Sequence, residues 1–179
     1  TRVTVFDLGN EAAVTLSVQM KSPIKWIAVN PAGTLLMIID DTGRGQLASL
    51  LTYAQLSFLT FSETVSAAPR FSPDGLCLAV AVGRKLEIWR VPNFAADNRQ
   101  FAPWHLISRI VQHQGSITSV EWSGPEVGVG HVRRGCIGRW IATAADDLTC
   151  RVFKIEYRPE GARNTKQVTI DNGKLIEDG

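Results

Sequence analysis

The chain has 179 residues, of which 45% are hydrophobic and 20% are charged, and its formal net charge at pH 7 is +2. This length and apolar fraction suffice for one ordinary domain with a buried core. No apolar run reaches the roughly 18 residues of a membrane-spanning helix, and a net charge this small does not by itself indicate a nucleic-acid-binding protein.

The chain opens with the strand-like stretch TRVTVFDL and has neither an initiating methionine nor a signal-peptide pattern. We therefore interpret it as a piece of a longer protein. Cys77 and Cys150 fall in apolar strand patterns, where a free thiol behaves as a small hydrophobic side chain. Together with Cys136 they form no Cys-x-x-Cys pair, which argues against a structural zinc site and favours a reducing, intracellular compartment.

The first half of the chain contains a repeat of apolar strands separated by Pro-containing turns. After a strand at residues 2–8, residues 24–29, 35–40 and 46–51 form one predicted unit, and residues 55–61 open the next. The turns VNPAG and FSPDG place Pro31 and Pro73 42 residues apart. This spacing is close to the roughly 40–45 residues of a four-stranded propeller blade.

The second half continues the pattern. Residues 65–71, 76–82 and 85–91 complete the second predicted unit, and the third comprises residues 106–111, 116–122, 140–145 and 149–156. No segment shows a convincing helical period, and Pro and Gly recur at short intervals. The sequence predicts an all-β fold: a partial β-propeller of about three four-stranded antiparallel blades plus a strand of a preceding blade.

This partial propeller is expected to occupy residues 1–157. Residues 158–179 form a polar tail, either a linker or the start of a further blade, in which Asn172-Gly173 suits a hairpin turn.

The predicted blades resemble WD repeats, and this resemblance implies a structural role for several polar residues. In such repeats a His, a Ser or Thr, and an Asp form a buried hydrogen-bond relay. His113, Thr143 and Asp146 match these positions, and Phe153 takes the place of the usual Trp. A relay of this kind holds loops in register and catalyses nothing, whereas the alternative role for His113 is that of a general base.

Motifs that would indicate catalysis are absent from the sequence, including a nucleophile elbow, a phosphate loop, a His-Glu-x-x-His helix and an acidic calcium loop. The stretch GVGHVRRG superficially resembles a phosphate cradle but lacks the strand-then-helix context. The acidic pairs Asp40-Asp41 and Asp146-Asp147 fit hairpin turns better than paired catalytic carboxylates. We expect no enzyme, no catalytic residue, no cofactor and no metal.

Tryptophans and arginines supply the remaining candidate residues. Four tryptophans lie within or beside predicted strands and are expected in blade cores: Trp26, Trp89, Trp122 and Trp140. Trp104 lies in a linker, where it either plugs a blade edge or anchors a partner. Residues 124–138 form a Gly-rich insert, and Arg133 and Arg134 within it, with Arg139 directly after it, are candidate contacts to RNA or an acidic partner. The alternative is a solvated loop.

Three stretches carry a narrower resemblance: RVTVFDL at residues 2–8, DNRQFAPWHLISRIVQHQGSITSVEWS at 97–123, and RWIATAADDLTCRVFKI at 139–155. They resemble the N-terminal propeller of the periodic tryptophan protein 2 family, which has a linker like NRQFAP between its second and third blades. The resemblance covers residues 1–157, and the insert at 124–138 is not part of the family pattern.

This resemblance implies a non-enzymatic, nucleolar scaffold in the UTP-B complex of the small-subunit processome. Its implied partners are other UTP-B WD-repeat subunits, the U3 snoRNP and pre-rRNA, which it would help to assemble for 18S rRNA maturation. Neither a small-molecule substrate nor a membrane is expected. The alternative is a generic WD-repeat adaptor in a cytoplasmic or signalling complex.

Overall fold

The structure is a computed structural model that describes residues 2–7, 12–18, 20–92, 94–95, 100–101, 103–124, 137–157, 168–171 and 174–177. Every regular element in these ranges is a strand, so the all-β prediction is confirmed. In the same ranges no helix is long and apolar enough to cross a membrane.

The strands form three large antiparallel sheets and two hairpins. The first hairpin pairs β1 (Arg2–Asp7) with β2 (Ala12–Ser17). The first sheet has the order β3 (Ile24–Val29), β4 (Leu35–Asp40), β5 (Arg44–Ser49) and β6 (Gln55–Thr60). The second sheet begins with β7 (Arg70–Phe71), β8 (Cys77–Val82) and β9 (Lys85–Arg90).

The second hairpin, β10 (Phe94–Ala95) with β11 (Gln100–Phe101), interrupts the second sheet before β12 (His105–Ile110) completes it beside β9. The third sheet has five strands in sequence order: β13 (Ile117–Trp122), β14 (Ile137–Ala145), β15 (Cys150–Tyr157), β16 (Val168–Asp171) and β17 (Lys174–Glu177). Two strands from the polar tail therefore extend the third sheet.

The boundaries of the predicted units differ from those of the observed sheets by one strand. The strand predicted to open the second unit, β6, closes the first sheet, and β12 closes the second sheet instead of opening the third. A tight turn, in which the Ser49 N–H donates to the Ala54 carbonyl at 2.8 Å, folds β6 back onto β5. The predicted strand at 65–71 is reduced to a single bridge at Val65 and the short β7, because Pro69 has no N–H to donate.

The central strands are apolar throughout because both of their faces are buried. All six residues of β8 are buried, and its side chains alternate between two cores. Leu78, Val80 and Val82 pack toward the first sheet, whereas Cys77 and Ala79 pack toward the third. The sheets are thus stacked face to face, as expected of neighbouring blades.

The same alternation occurs in the first sheet. Met37 and Ile39 of β4 share a core with the second sheet. Leu36 and Ile38 instead pack with Leu16 of β2. The first hairpin therefore covers the outer face of the first sheet, where the sequence predicts one strand of a preceding blade and the structure has two.

The strand tryptophans are less buried than predicted. Trp122 is buried and donates its indole N–H to the Arg70 carbonyl at 3.0 Å, which links the third sheet to the second. Trp26, Trp89 and Trp140 are half-buried. The Trp89 ring meets Phe61 edge to face, with ring centroids 6.3 Å apart. The indole N–H of Trp26 donates to the Val65 carbonyl at 3.1 Å and that of Trp89 to Oε2 of Glu87 at 3.0 Å, so both half-buried indoles have a partner.

Candidate functional site

A buried histidine relay ties the second and third sheets together at one end. His113 is 2% exposed. Its Nε2 lies 2.7 Å from Oγ1 of Thr143, and its Nδ1 lies 3.1 Å from Oδ2 of Asp147 and 3.1 Å from Oγ1 of Thr149. A carboxylate beside Nδ1 favours the tautomer with its proton there, which leaves Nε2 to accept from the Thr143 hydroxyl.

The carboxylate of this relay is Asp147, and the sequence-based assignment to Asp146 is wrong by one residue. In the turn between β14 and β15, the Asp146 N–H donates to the Ser116 carbonyl at 2.9 Å and its side chain is exposed. The Asp147 side chain folds back toward the histidine and is 10% exposed. Of the three residues predicted to form the relay, His113 and Thr143 take part in it and Asp146 does not.

Hydrogen bonds stabilise the ionised form of Asp147. The Thr149 hydroxyl donates to its Oδ1 at 2.6 Å, and the backbone N–H groups of Gln114 and Thr149 donate at 2.8 and 3.0 Å. The hydroxyl foremost, followed by the two amides and the imidazole, holds the pKa of this carboxyl well below its usual range. The Asp147 carboxyl is therefore ionised at neutral pH.

The relay joins two segments, residues 111–116 and 146–149, which we call the relay loops. They approach so closely at Gly115 that a Cβ atom there would lie 2.6 Å from the Asp147 backbone nitrogen. Glycine is required at this position because no side chain fits between the two backbones. The relay loops are consequently packed directly against each other at the end of the third sheet.

The polar side chains of the relay face one another. His113 and Thr143 are buried, and each of their polar atoms faces another relay residue. The aromatic position is taken by Phe153, which is 1% exposed within the core between the second and third sheets. Nothing in this arrangement presents a base or a nucleophile to solvent.

Trp104 reaches from the segment before β12 to the neighbouring sheet. It is half-buried, packs against the core between the first and second sheets, and donates its indole N–H to Oγ of Ser57 at 3.0 Å. Of the two roles that the sequence leaves open, this geometry is that of a plug at the sheet edge.

The three insert arginines have different positions relative to the described structure. Arg133 and Arg134 lie outside the described residues. Arg139 belongs to β14 and its side chain is 14% exposed. It donates to the Gly138 carbonyl at 3.0 Å and lies 3.9 Å from Oδ2 of Asp74. Arg139 therefore fixes the base of the insert against the second sheet.

Sequence reasoning missed two carboxylates that bond neighbouring strands, Asp74 and Glu87. The sequence indicates only a turn at Asp74, yet its Oδ2 accepts a hydrogen bond from the Tyr157 hydroxyl of the third sheet. Glu87 is 1% exposed in β9 and accepts from Arg109 Nε at 2.9 Å and from Trp89 Nε1 at 3.0 Å. Glu87 stands between Leu86 and Ile88 in β9, and an acidic residue between apolar neighbours in a strand is the sequence signal that could have identified this pair.

Among the described residues no group of three or more His, Cys, Asp or Glu side chains is arranged to hold a metal ion. Cys77 is buried in β8, as expected, and burial raises the pKa of its thiol to about 12. Cys150, expected in an apolar environment, is exposed, because it begins β15 on the uncovered side of the third sheet.

No family model matches the sequence, but curated relatives do. The chain is 36% identical over 155 residues to Periodic tryptophan protein 2 of Saccharomyces cerevisiae, an alignment that covers 87% of this chain and 15% of the relative. It is 30% identical over 155 residues to the homolog from Schizosaccharomyces pombe, with 87% and 16% covered. It is 34% identical over 122 residues to the Arabidopsis thaliana protein, with 68% and 13% covered.

The chain thus spans only about a sixth of the length of the yeast relatives that it matches. Among solved structures, the crystal structure of the WD40 domain of SCAP from fission yeast is similar, with a TM-score of 0.67 and 14% sequence identity. The superposition covers 99% of this chain and 37% of that one. This likeness shows the WD40 propeller fold, and the three stacked sheets are blades of it.

Proposed function

The chain belongs to the periodic tryptophan protein 2 family, and from this membership and its WD40 fold we propose that it is part of a non-enzymatic scaffold in ribosome biogenesis. The observation that carries the proposal is the identity of 36% over 87% of this chain to the Saccharomyces cerevisiae relative. The inward-facing relay supports it, because His113 and Asp147 are engaged in holding loops together.

We further propose the specific assembly. In this proposal the protein acts in the nucleolus as a subunit of the UTP-B complex of the small-subunit processome. Together with other WD-repeat subunits it supports assembly of the U3 snoRNP with pre-rRNA for maturation of 18S rRNA. Stacked blades suit such a role, because they offer a rigid core with loops and edges left free for binding.

Arg133 and Arg134 are proposed as contacts to RNA phosphates or to an acidic segment of a neighbouring subunit. They follow Gly124, the last described residue before the insert, and Arg139 fixes the other end of the insert to Asp74. Replacing both Arg133 and Arg134 by Ala should lower the salt slope of RNA binding by about one unit per lost phosphate contact. An unchanged slope and unchanged co-purification would leave a solvated loop.

Affinity purification of the tagged full-length protein tests the function. We expect pre-rRNA, U3 RNA and processome subunits to co-purify, and depletion of the protein to reduce 18S rRNA relative to the large-subunit rRNA. A non-WD nucleolar protein with the same tag serves as the control. Purification of a signalling complex free of pre-rRNA would replace this proposal with the generic adaptor.

A further inference from the structure

Leu148 combines two unusual properties. Its side chain is 98% exposed, and its backbone has a φ of +62°, in the left-handed region that L-residues other than Gly, Asn and Asp rarely adopt. In the described part of the chain only one other non-glycine residue, Tyr53, has a positive φ. Neither the exposure of an aliphatic side chain nor the backbone strain stabilises the fold.

The first blade shows which residue the turn itself favours. Gly43 occupies the matching position between β4 and β5: its N–H donates to the Asp40 carbonyl at 3.2 Å, as that of Leu148 donates to the Ala145 carbonyl at 3.2 Å. The φ of Gly43 is +82°. The second blade also has a glycine, Gly83, in its turn, with a φ of +57°. The third blade alone among these places a large apolar side chain there.

The turn that carries Leu148 is held to the other relay loop by hydrogen bonds. The turn containing Leu148 is bonded to residues 111–116 through His113, the Gln114 N–H and the Ser116 carbonyl. Because these hydrogen bonds hold the turn in place, a partner that contacts Leu148 meets a preformed knob and loses less conformational entropy on binding. Local strain retained on a rigid, exposed turn is typical of a binding site.

The neighbouring groups define the chemistry of the partner. Asp146 is exposed in the same turn as Leu148, so the knob has a carboxylate at its base. Val111, on the other relay loop, is 47% exposed. A phosphate group would be repelled by the Asp146 carboxylate, which disfavours RNA as the occupant. An apolar pocket with a Lys or Arg at its rim is complementary in shape and charge.

We propose that Leu148 is the apolar anchor by which the relay loops bind a partner protein, inserting into a pocket that has basic side chains at its rim. The inference deepens the proposed scaffold function and rests on it. It assigns the contact to one turn of one blade, and it gives the relay a purpose beyond stability, namely to present this side chain rigidly.

The first experiment places a diazirine analogue of leucine at position 148 of the full-length protein in cells and maps the cross-linked residue by mass spectrometry. The same analogue at position 53 is the matched control, because Tyr53 is also exposed and also has a positive φ but lies in the turn between β5 and β6, at the opposite end of the strands. We expect a discrete cross-link from position 148 alone, to an apolar pocket with a Lys or Arg beside it.

The second experiment compares Leu148→Gly with Tyr53→Gly. Glycine relieves the strain at either position, so neither variant should lower the thermal unfolding midpoint. Leu148→Gly should weaken binding of the cross-linked protein by at least about 30-fold, as expected for an anchor residue, and Tyr53→Gly should not. Cross-linking to RNA, no cross-link above the control, or undiminished binding by Leu148→Gly would each overturn the inference.

These outcomes can be separated from failure of the proposed function. If the wild-type protein purifies with pre-rRNA and the Leu148→Gly variant retains every partner, the anchor is refuted and the scaffold function stands. If the wild-type protein purifies without pre-rRNA, the ribosome-biogenesis role fails, and the cross-link still decides whether Leu148 is an anchor.

Discussion

The phenol oxygen of Tyr157 lies 2.5 Å from Oδ2 of Asp74, a residue 83 positions earlier in the chain and in the neighbouring sheet. Asp74 also accepts from the Ser72 hydroxyl at 2.6 Å and from the Leu76 N–H at 3.0 Å. Burial raises the pKa of the phenol, so that it remains a donor at any physiological pH. The Asp74 carboxylate therefore stabilises its own turn and also forms a hydrogen bond to the adjacent sheet.

Replacing Tyr157 by Phe should destabilise the protein by about 1.5–3 kcal/mol, the usual range for a hydrogen bond to a charged group. The ring still fills the core, so the loss reports on the hydroxyl alone. Tyr53→Phe is the control, because that ring is 41% exposed and its change should be close to neutral. Equal unfolding midpoints for the two variants would show that the contact between the sheets contributes nothing.

Asp147 should make stability depend on pH. Because its folded-state pKa is depressed, its contribution is fully present above the ordinary carboxyl pKa of 3.8 and is lost as the pH falls through the folded-state value. Asp147→Asn should therefore lower the unfolding midpoint at pH 7, and the difference from wild type should shrink as the pH falls below about 4.

Asp146→Asn is the adjacent control for this pH experiment, since the Asp146 side chain is exposed and outside the relay. Its unfolding midpoint at pH 7 should be close to that of the wild type. If Asp146→Asn reproduced the effect of Asp147→Asn, the assignment of the relay carboxylate would have to be reversed.

Gly115 should not tolerate alanine. The added Cβ would lie 2.6 Å from the Asp147 nitrogen and 3.0 Å from the Asp146 carbonyl carbon, and both contacts are to backbone that cannot yield cheaply. We expect a cost of about 1–3 kcal/mol, as for other overpacked sites. Gly124→Ala should be harmless, because no atom of the described residues lies within 4 Å of the Cβ position there. Urea denaturation of both variants checks the difference.

The buried Glu87 should make Arg109→Ala costly. Glu87 is 1% exposed, whereas the Arg109 side chain is 48% exposed, so removing Arg109 leaves a buried carboxylate with the Trp89 N–H as its remaining partner from this cluster. The expected loss is roughly 1–3 kcal/mol. Adding Glu87→Gln to Arg109→Ala should restore part of it, since a neutral amide costs less to bury. Additive losses in this double-mutant cycle would contradict a direct pair.

The sequence predicted the architecture better than it predicted the sites. Period-two patterns and turn residues located most strands, because strand alternation and turn chemistry are local properties. Which strand an outer strand pairs with depends on residues far away in the sequence. The sequence pattern therefore assigns β6 and β12 to the following sheet, whereas they belong to the preceding one. The choice between Asp146 and Asp147 depended on the turn conformation, in which Leu148 adopts a positive φ that no propensity favours for leucine.

The sequence pattern also did not predict which strand residues are exposed to solvent. Cys150 and Val152 belong to an apolar strand pattern, yet both are exposed. Whether the second face of a strand is buried depends on a neighbouring sheet, which the pattern within that strand does not specify. The same reasoning explains why all six residues of β8 are buried, since this strand has a sheet on each side.

The double-sided burial of β8 has a consequence for amide hydrogen exchange. Its backbone N–H groups become accessible to solvent only when the second sheet separates from both neighbours, so they should exchange through the largest opening reaction of the assembly. Amides of the first hairpin need only the single core around Leu16 to open. Deuterium uptake should therefore proceed from that hairpin inward, with β8 the last strand to be labelled.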